Sequence, residues 1–148
     1  MIWTPHATVA VVVERDGRFL MVEEETDEGV RLNQPAGHFE SNESLVQAAV
    51  RETLEETACH VALEHLIGIY RWPRPGTDVV YLRFAFSARL IRHDTSRPLD
   101  HGILRALWLT RDELVAETPR HRNGLVLRCI DDHLAGHHYP LDLLVHYP

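Results

Sequence analysis

Residues 42–57, NESLVQAAVRETLEET, carry the pattern of one long helix set between two blocks of strand-like sequence. At about 100° per residue, Leu45, Val46, Ala49, Val50, Thr53 and Leu54 share one broad face, which must pack on another element. Ser41 or Asn42 is positioned to cap its N-terminus, and Glu43 in the first turn suits the helix dipole. Upstream, ATVAVVVE and FLMVEEE flank RDGR, a hairpin with an Asp-Gly turn. Between the hairpin and the helix, VRLNQPAGHFESNE reads as a loop because of Pro35 and Gly37. Downstream, CHVALEHLIGIYRWP, VVYLRFAFSARLI and LRALWL read as strands.

The chain closes with two more helical segments. TRDEL has a capping box, Thr110 to Glu113. NGLVLRCIDDHLAG places Leu125, Leu127, Ile130 and Leu134 at helical spacing, with Gly136 as its stop. This order of elements predicts an α/β fold, a mixed sheet between helices. At 148 residues the chain fits one domain, residues 1–148, with a real core.

A net charge of −7 disfavours nucleic acid polymers, which need clustered Lys and Arg. The two cysteines, Cys59 and Cys129, give no disulfide framework and no zinc spacing with the histidines. The N-terminus lacks a basic region and a cleavage pattern, and no apolar run is long enough to span a bilayer. A cytoplasmic protein without membrane contact, monomer or homodimer, is expected.

Within the long helix, Glu52, Glu55 and Glu56 fall in a sector of roughly 100° along the border of the apolar face. Such like charges repel, and more so as water is excluded. Arg51 can offset Glu55 through an i,i+4 pair. A divalent cation that favours hard oxygens, such as Mg²⁺, Mn²⁺ or Ca²⁺, would offset the others. An ExxEE stretch alone is usually a solvated face. The upstream spacing changes that reading: Gly37, five residues, Glu43, seven residues, Arg51-Glu52, two residues, Glu55-Glu56.

This spacing resembles the Nudix box, G-x5-E-x7-R-E-U-x-E-E-x-G-U with U a bulky apolar residue. Gly37, Glu43, Arg51, Glu52, Glu55 and Glu56 match; Thr53 and Cys59 stand at the U positions, and Ala58 replaces the box glycine. Ala58 lacks glycine's freedom to turn left-handed, so a shifted helix end is expected. NQPAGH before the box, HATVAVVV at the start, YRW after the box and YP near the end resemble the phosphatase-like branch of the Nudix hydrolases.

The resemblance implies a Nudix fold and metal-dependent hydrolysis of phosphoanhydrides. Its substrates would be nucleoside tri- and diphosphates and hydroxymethylpyrimidine diphosphate, a thiamine precursor. ADP-ribose, dinucleoside polyphosphates and NADH are the alternatives within the family, and a non-catalytic nucleotide-binding module is the alternative outside catalysis. It further implies Mg²⁺, or Mn²⁺, held by Glu52, Glu55 and Glu56, with the Ala36 carbonyl and the later-loop Asp100 as further ligands. Glu52 would activate water, Arg51 would orient a glutamate, and Gly37 and Glu43 would support the loop and the helix start. For the substrate, Tyr70 and Trp72 offer stacking surfaces, Arg71 and Arg74 can take phosphate, Asn33, Gln34 and His38 can hydrogen-bond, and Gly37 is expected in the same substrate-binding loop.

Overall fold

The structure, a computed structural model, describes residues 1–148. Strands β1 (His6–Arg15) and β2 (Arg18–Thr26) form the expected hairpin. Asp16 and Gly17 both have positive φ, 52° and 75°, as a two-residue turn between right-twisted strands requires. The two strands pair only beside the turn, at Glu14–Phe19 and Arg15–Arg18, and then part.

The parting creates an opening that the sequence did not suggest. Residues 30–43, expected as a loop, contribute β3 (Gly29–Asn33) on the edge of β2 and β4 (Ala36–His38) on the freed edge of β1. Pro35 falls in the two-residue link, where its missing N–H disrupts no ladder. Its carbonyl accepts the Val11 N–H at 3.0 Å.

The helix α1 (Leu45–Thr57) is capped by Ser44, not by Ser41 or Asn42. The Ser44 hydroxyl accepts the Gln47 N–H at 3.1 Å, and the Gln47 side chain accepts the Ser44 N–H at 2.8 Å. Glu43 therefore precedes the helix rather than sitting in its first turn. The buried positions are Ala48, Ala49, Thr53, Glu56 and Thr57, so the buried face is rotated toward Glu56. Leu45 and Val46 pack at its margin.

The long strands β5 (Cys59–Pro73) and β6 (Val80–His93) are antiparallel, and β6 runs parallel to β1 from His6–Tyr81 to Val13–Ala88. Strand β7 (Ile103–Thr110) adds to β2. The order is β3-β2-β1-β6-β5, with β4 beside β1 and β7 beside β2.

Side chains from alternate positions build two cores. On one face Val9, Val11, Val13 and Phe86 pack with Ala48 and Ala49 of α1, and Trp108 lies at the border of this core. On the other face Val12, Ile67 and Ala85 meet Leu114 of α2 (Arg111–Ala116) and the inner side of α3 (Leu125–Leu134). The result is the mixed sheet between helices that the order of elements predicts. Thr110 forms the expected capping box with Glu113. The buried stripe of α3 is Leu125, Val126, Cys129 and Ile130, whereas Leu134 is exposed. Both cysteines are free and buried. No helix is long and apolar enough to cross a membrane.

At the end of α1, Ala58 adopts the left-handed conformation itself, φ 59°, and its N–H reaches the Leu54 carbonyl at 2.9 Å. The helix end is not displaced; the alanine accepts the strain. Ala58→Val, whose branched side chain tolerates this φ poorly, is expected to destabilise the protein by about 2 kcal/mol. Ala58→Gly should stay within about 1 kcal/mol of the parent, because relief of strain is offset by a lost buried methyl and a freer unfolded chain. Urea midpoints at unchanged slope read both effects.

Candidate active site

Strand β4 carries Gly37 directly over α1. A β-carbon at Gly37 would collide with all three terminal atoms of the Glu52 carboxyl group, so only glycine allows the strand and the carboxylate to lie this close. Glu52, Glu55 and Asp100, the last from the loop before β7, bring carboxylate oxygens within 4.8 Å of one another. Asp100 is held there by its N–H, which donates to the Glu55 carbonyl at 3.0 Å.

Arg51 organises the cluster. Its guanidinium grips Glu43 with two hydrogen bonds, 2.9 Å from Nε and 2.7 Å from Nη2. Nη1 donates to Glu52 at 3.0 Å and to Glu55 at 3.1 Å, and Nη2 also reaches the His38 carbonyl at 3.2 Å. This bidentate grip holds the Glu43 carboxyl below its usual range. Glu43 also accepts the Glu40 N–H at 2.8 Å, which fixes the loop before the helix.

Glu56 lies deeper, 8% exposed, and its Oε1 accepts the Ala36 N–H at 2.9 Å. Burial pushes its pKa up to about 9, opposed by the Ala36 N–H and reinforced by Glu52, Glu24 and Asp100. Burial likewise pushes Glu52 up to about 7 against the pull of Arg51, with Glu55 and Asp100 adding to the rise. One guanidinium thus faces more carboxylates than it can neutralise. An all-oxygen set with unbalanced negative charge fits a hard divalent cation.

On the far side of β4 lies a cleft of about 530 Å³. Ala36, Gly37 and His38 form the border it shares with the carboxylates. Trp72 and Tyr81 stack with centroids 6.2 Å apart and make one wall; Glu24, Asp27, Glu28 and Arg31 of the β2–β3 hairpin face them. Arg74, Arg83, Arg122 and Asn123 also line it.

Of the residues proposed for substrate, Asn33, Gly37, His38, Trp72 and Arg74 reach this cleft. Three others do not. The Tyr70 hydroxyl is spent on Asp132 of α3 at 2.7 Å. Gln34 is 1% exposed, with its oxygen accepting from Arg83 and its nitrogen donating to the Val126 carbonyl. Arg71 projects to solvent on the opposite face of β5 from Trp72. Sequence reasoning missed Arg83, Tyr81 and Arg122. The available signal for Arg83 was a charge at the centre of a strand that is apolar on both sides, LRFAF.

The raised values of Glu52 and Glu56 have a consequence for the metal-free protein. Each keeps its proton when folded over a range where the unfolded chain, near 4.5, has lost it. This contribution to stability is complete below about pH 4.5 and is lost as pH rises through about 7 for Glu52 and about 9 for Glu56. Glu56→Gln cannot ionise, so its Tm relative to the parent should climb between pH 7 and 9 in chelator. A constant difference across that range would contradict the burial argument.

Residues 4–128 match the NUDIX domain family. The chain is 37% identical over 140 residues to Phosphatase NudJ of Escherichia coli K12, across 95% of this chain and 90% of that protein. A NUDIX hydrolase from Nitrosomonas europaea is 47% identical and superposes with a TM-score of 0.94, covering 97% of this chain and 98% of the other. An ADP-ribose pyrophosphatase from Streptococcus suis, 17% identical with a TM-score of 0.68 over 92% of this chain and 96% of the other, shares the fold. With the box spacing, the glycine–glutamate approach and these relatives in agreement, the chain belongs to the Nudix family and is a Nudix hydrolase.

Proposed function

We propose that this chain, acting as one domain over residues 1–148, is a divalent-cation-dependent phosphohydrolase. Its substrates are nucleoside tri- and diphosphates, together with hydroxymethylpyrimidine diphosphate, and phosphate is the first product. The observation that carries the reading is the adjacency of the Glu52–Glu55–Asp100 cluster to an arginine-lined cleft, with only β4 between them. The phosphatase named among the relatives supports the choice of branch.

Mg²⁺ or Mn²⁺ would be held by Glu52, Glu55, Glu56 and Asp100, with the Ala36 carbonyl as a further donor. When bound, such an ion neutralises phosphate charge and acidifies water. Glu52 is the proton acceptor: water oxygen attacks the terminal phosphorus, its proton passes to Glu52, and the anhydride P–O bond breaks to give inorganic phosphate, with the bridging oxygen leaving on the nucleoside di- or monophosphate, or on the pyrimidine monophosphate. Arg51 is a positioning residue, keeping Glu52 and Glu55 aimed while Glu43 ties it to the loop. Glu56 holds Ala36 through one oxygen and keeps the other for the ion.

The test is phosphate release from a panel of nucleotides and hydroxymethylpyrimidine diphosphate, with Mg²⁺, Mn²⁺ or chelator. Metal-dependent release of inorganic phosphate is expected; pyrophosphate or paired mononucleotides as first product would assign another substrate branch, and no release would indicate a binding module. Glu52→Gln and Glu56→Gln should each lower turnover by at least about a hundredfold with the fold intact. Near-normal turnover in folded variants would remove those assignments.

A further inference from the structure

The cleft floor holds a buried arginine without a counter-ion. Arg83, midway along β6, is 5% exposed. Its Nη1 donates to the Gln34 side-chain oxygen at 3.1 Å and lies 3.8 Å from Cys129 Sγ; its Nη2 donates to the Asn33 side-chain oxygen at 3.3 Å. All three partners are neutral. Buried arginines are ordinarily paired with carboxylates.

The amide orientations follow from chemistry. A guanidinium can only donate, so the oxygens of Asn33 and Gln34 must face it. Gln34 then gives its nitrogen to the Val126 carbonyl. Asn33 has no such outlet, and its Nδ2 is left as a free donor. Arg83 Nε likewise has no partner in the protein. Neither atom is sealed in, because the one buried side-chain polar atom lacking a partner is Ser87 Oγ. Asn33 and Arg83 both line the cleft, in which Trp72 and Tyr81 form the wall. The floor therefore presents two free donors beside an aromatic surface, with the Thr8 hydroxyl, next to Arg83 in the β1–β6 register, able to donate or accept.

We propose that Arg83 and Asn33 are specificity-determining residues that read the base of a nucleotide lying against Trp72 and Tyr81. Two adjacent donors match an edge with two adjacent acceptors, the O6/N7 edge of a 6-oxopurine. Adenine places an amino donor where the oxygen would be and meets donor with donor. This inference rests on the nucleotide hydrolase reading above, and it adds a preference for guanine and hypoxanthine nucleotides over adenine nucleotides.

Its test separates binding from turnover. Calorimetric Kd values for GMP, IMP and AMP need no hydrolysis. GMP and IMP are expected to bind the parent at least about tenfold tighter than AMP. Arg83→Gln should bring the three within about twofold by weakening the first two. Asn33→Asp turns one donor into an acceptor and gives Arg83 an anionic partner in place of a neutral one, so it serves if Arg83→Gln fails to fold; it should narrow or reverse the preference. In turnover, Arg83→Gln should raise KM for GTP and leave that for ATP nearly unchanged. Equal binding of the three monophosphates by the parent overturns the proposal. So does an Arg83→Gln variant that weakens all three alike, the result of a purely structural arginine. An intact GMP preference without phosphate release from any nucleotide would overturn the hydrolase reading alone.

Discussion

The guanidinium of Arg51 is the interaction on which the site depends. Four acceptors converge on it: the carboxylates of Glu43, Glu52 and Glu55 and the backbone carbonyl of His38. Two belong to the loop and β4 side and two to the helix, so the group fastens the chain before α1 to the chain within it. Only a planar fork of five donors can satisfy this many directions at once; a lysine would bring the charge without the geometry. The grip also explains how three glutamates are tolerated on one stretch of helix. Glu52 and Glu55 share a cation, while Glu56, turned inward, escapes the repulsion by favouring its protonated form when no metal is present.

Around that anchor, the fold does its positioning through an imperfect hairpin. Because β1 and β2 separate after the turn, β1 offers an edge that β4 occupies. The three residues of β4 then face two ways: Gly37 lets Glu52 approach from α1, while Ala36 and His38 border the cleft formed on the other side of the sheet. The acidic and the arginine-rich halves of the site are therefore separate constructions, one on each face, meeting at a single short strand. The overall charge of −7 conceals this division.

Much of this was legible in the sequence where the signal is local. The Asp-Gly turn and the Thr110 capping box depend on residues a few positions apart, and the box spacing lies within one continuous stretch, Gly37 to Glu56. The start of α1 was misplaced because Ser41, Asn42 and Ser44 can all cap, and the deciding feature, the reciprocal Ser44–Gln47 pair, is a matter of geometry. The loop that became β3 and β4 was unreadable for another reason: its strand character comes from edges supplied by β2 and β1, not from its own residues. Tyr70 and Gln34 looked available for substrate because sequence shows donors and acceptors without showing that Asp132, Arg83 and Val126 already engage them. Arg83 was hidden by the converse, a charge inside a strand pattern whose apolar neighbours face both ways.

The parallel pairing of β1 with β6 carries a consequence for how the protein comes into being. His6 lies beside Tyr81 and Val13 beside Ala88, so the central ladder joins segments that are far apart along the chain. During synthesis the carboxylates of α1 are complete long before the strand bearing Tyr81 and Arg83 leaves the ribosome. Closing so long a loop is slow relative to forming a helix or a hairpin. Asp100, the third member of the carboxylate cluster, follows that strand in the chain, so both halves of the site are finished only in the step that completes the sheet.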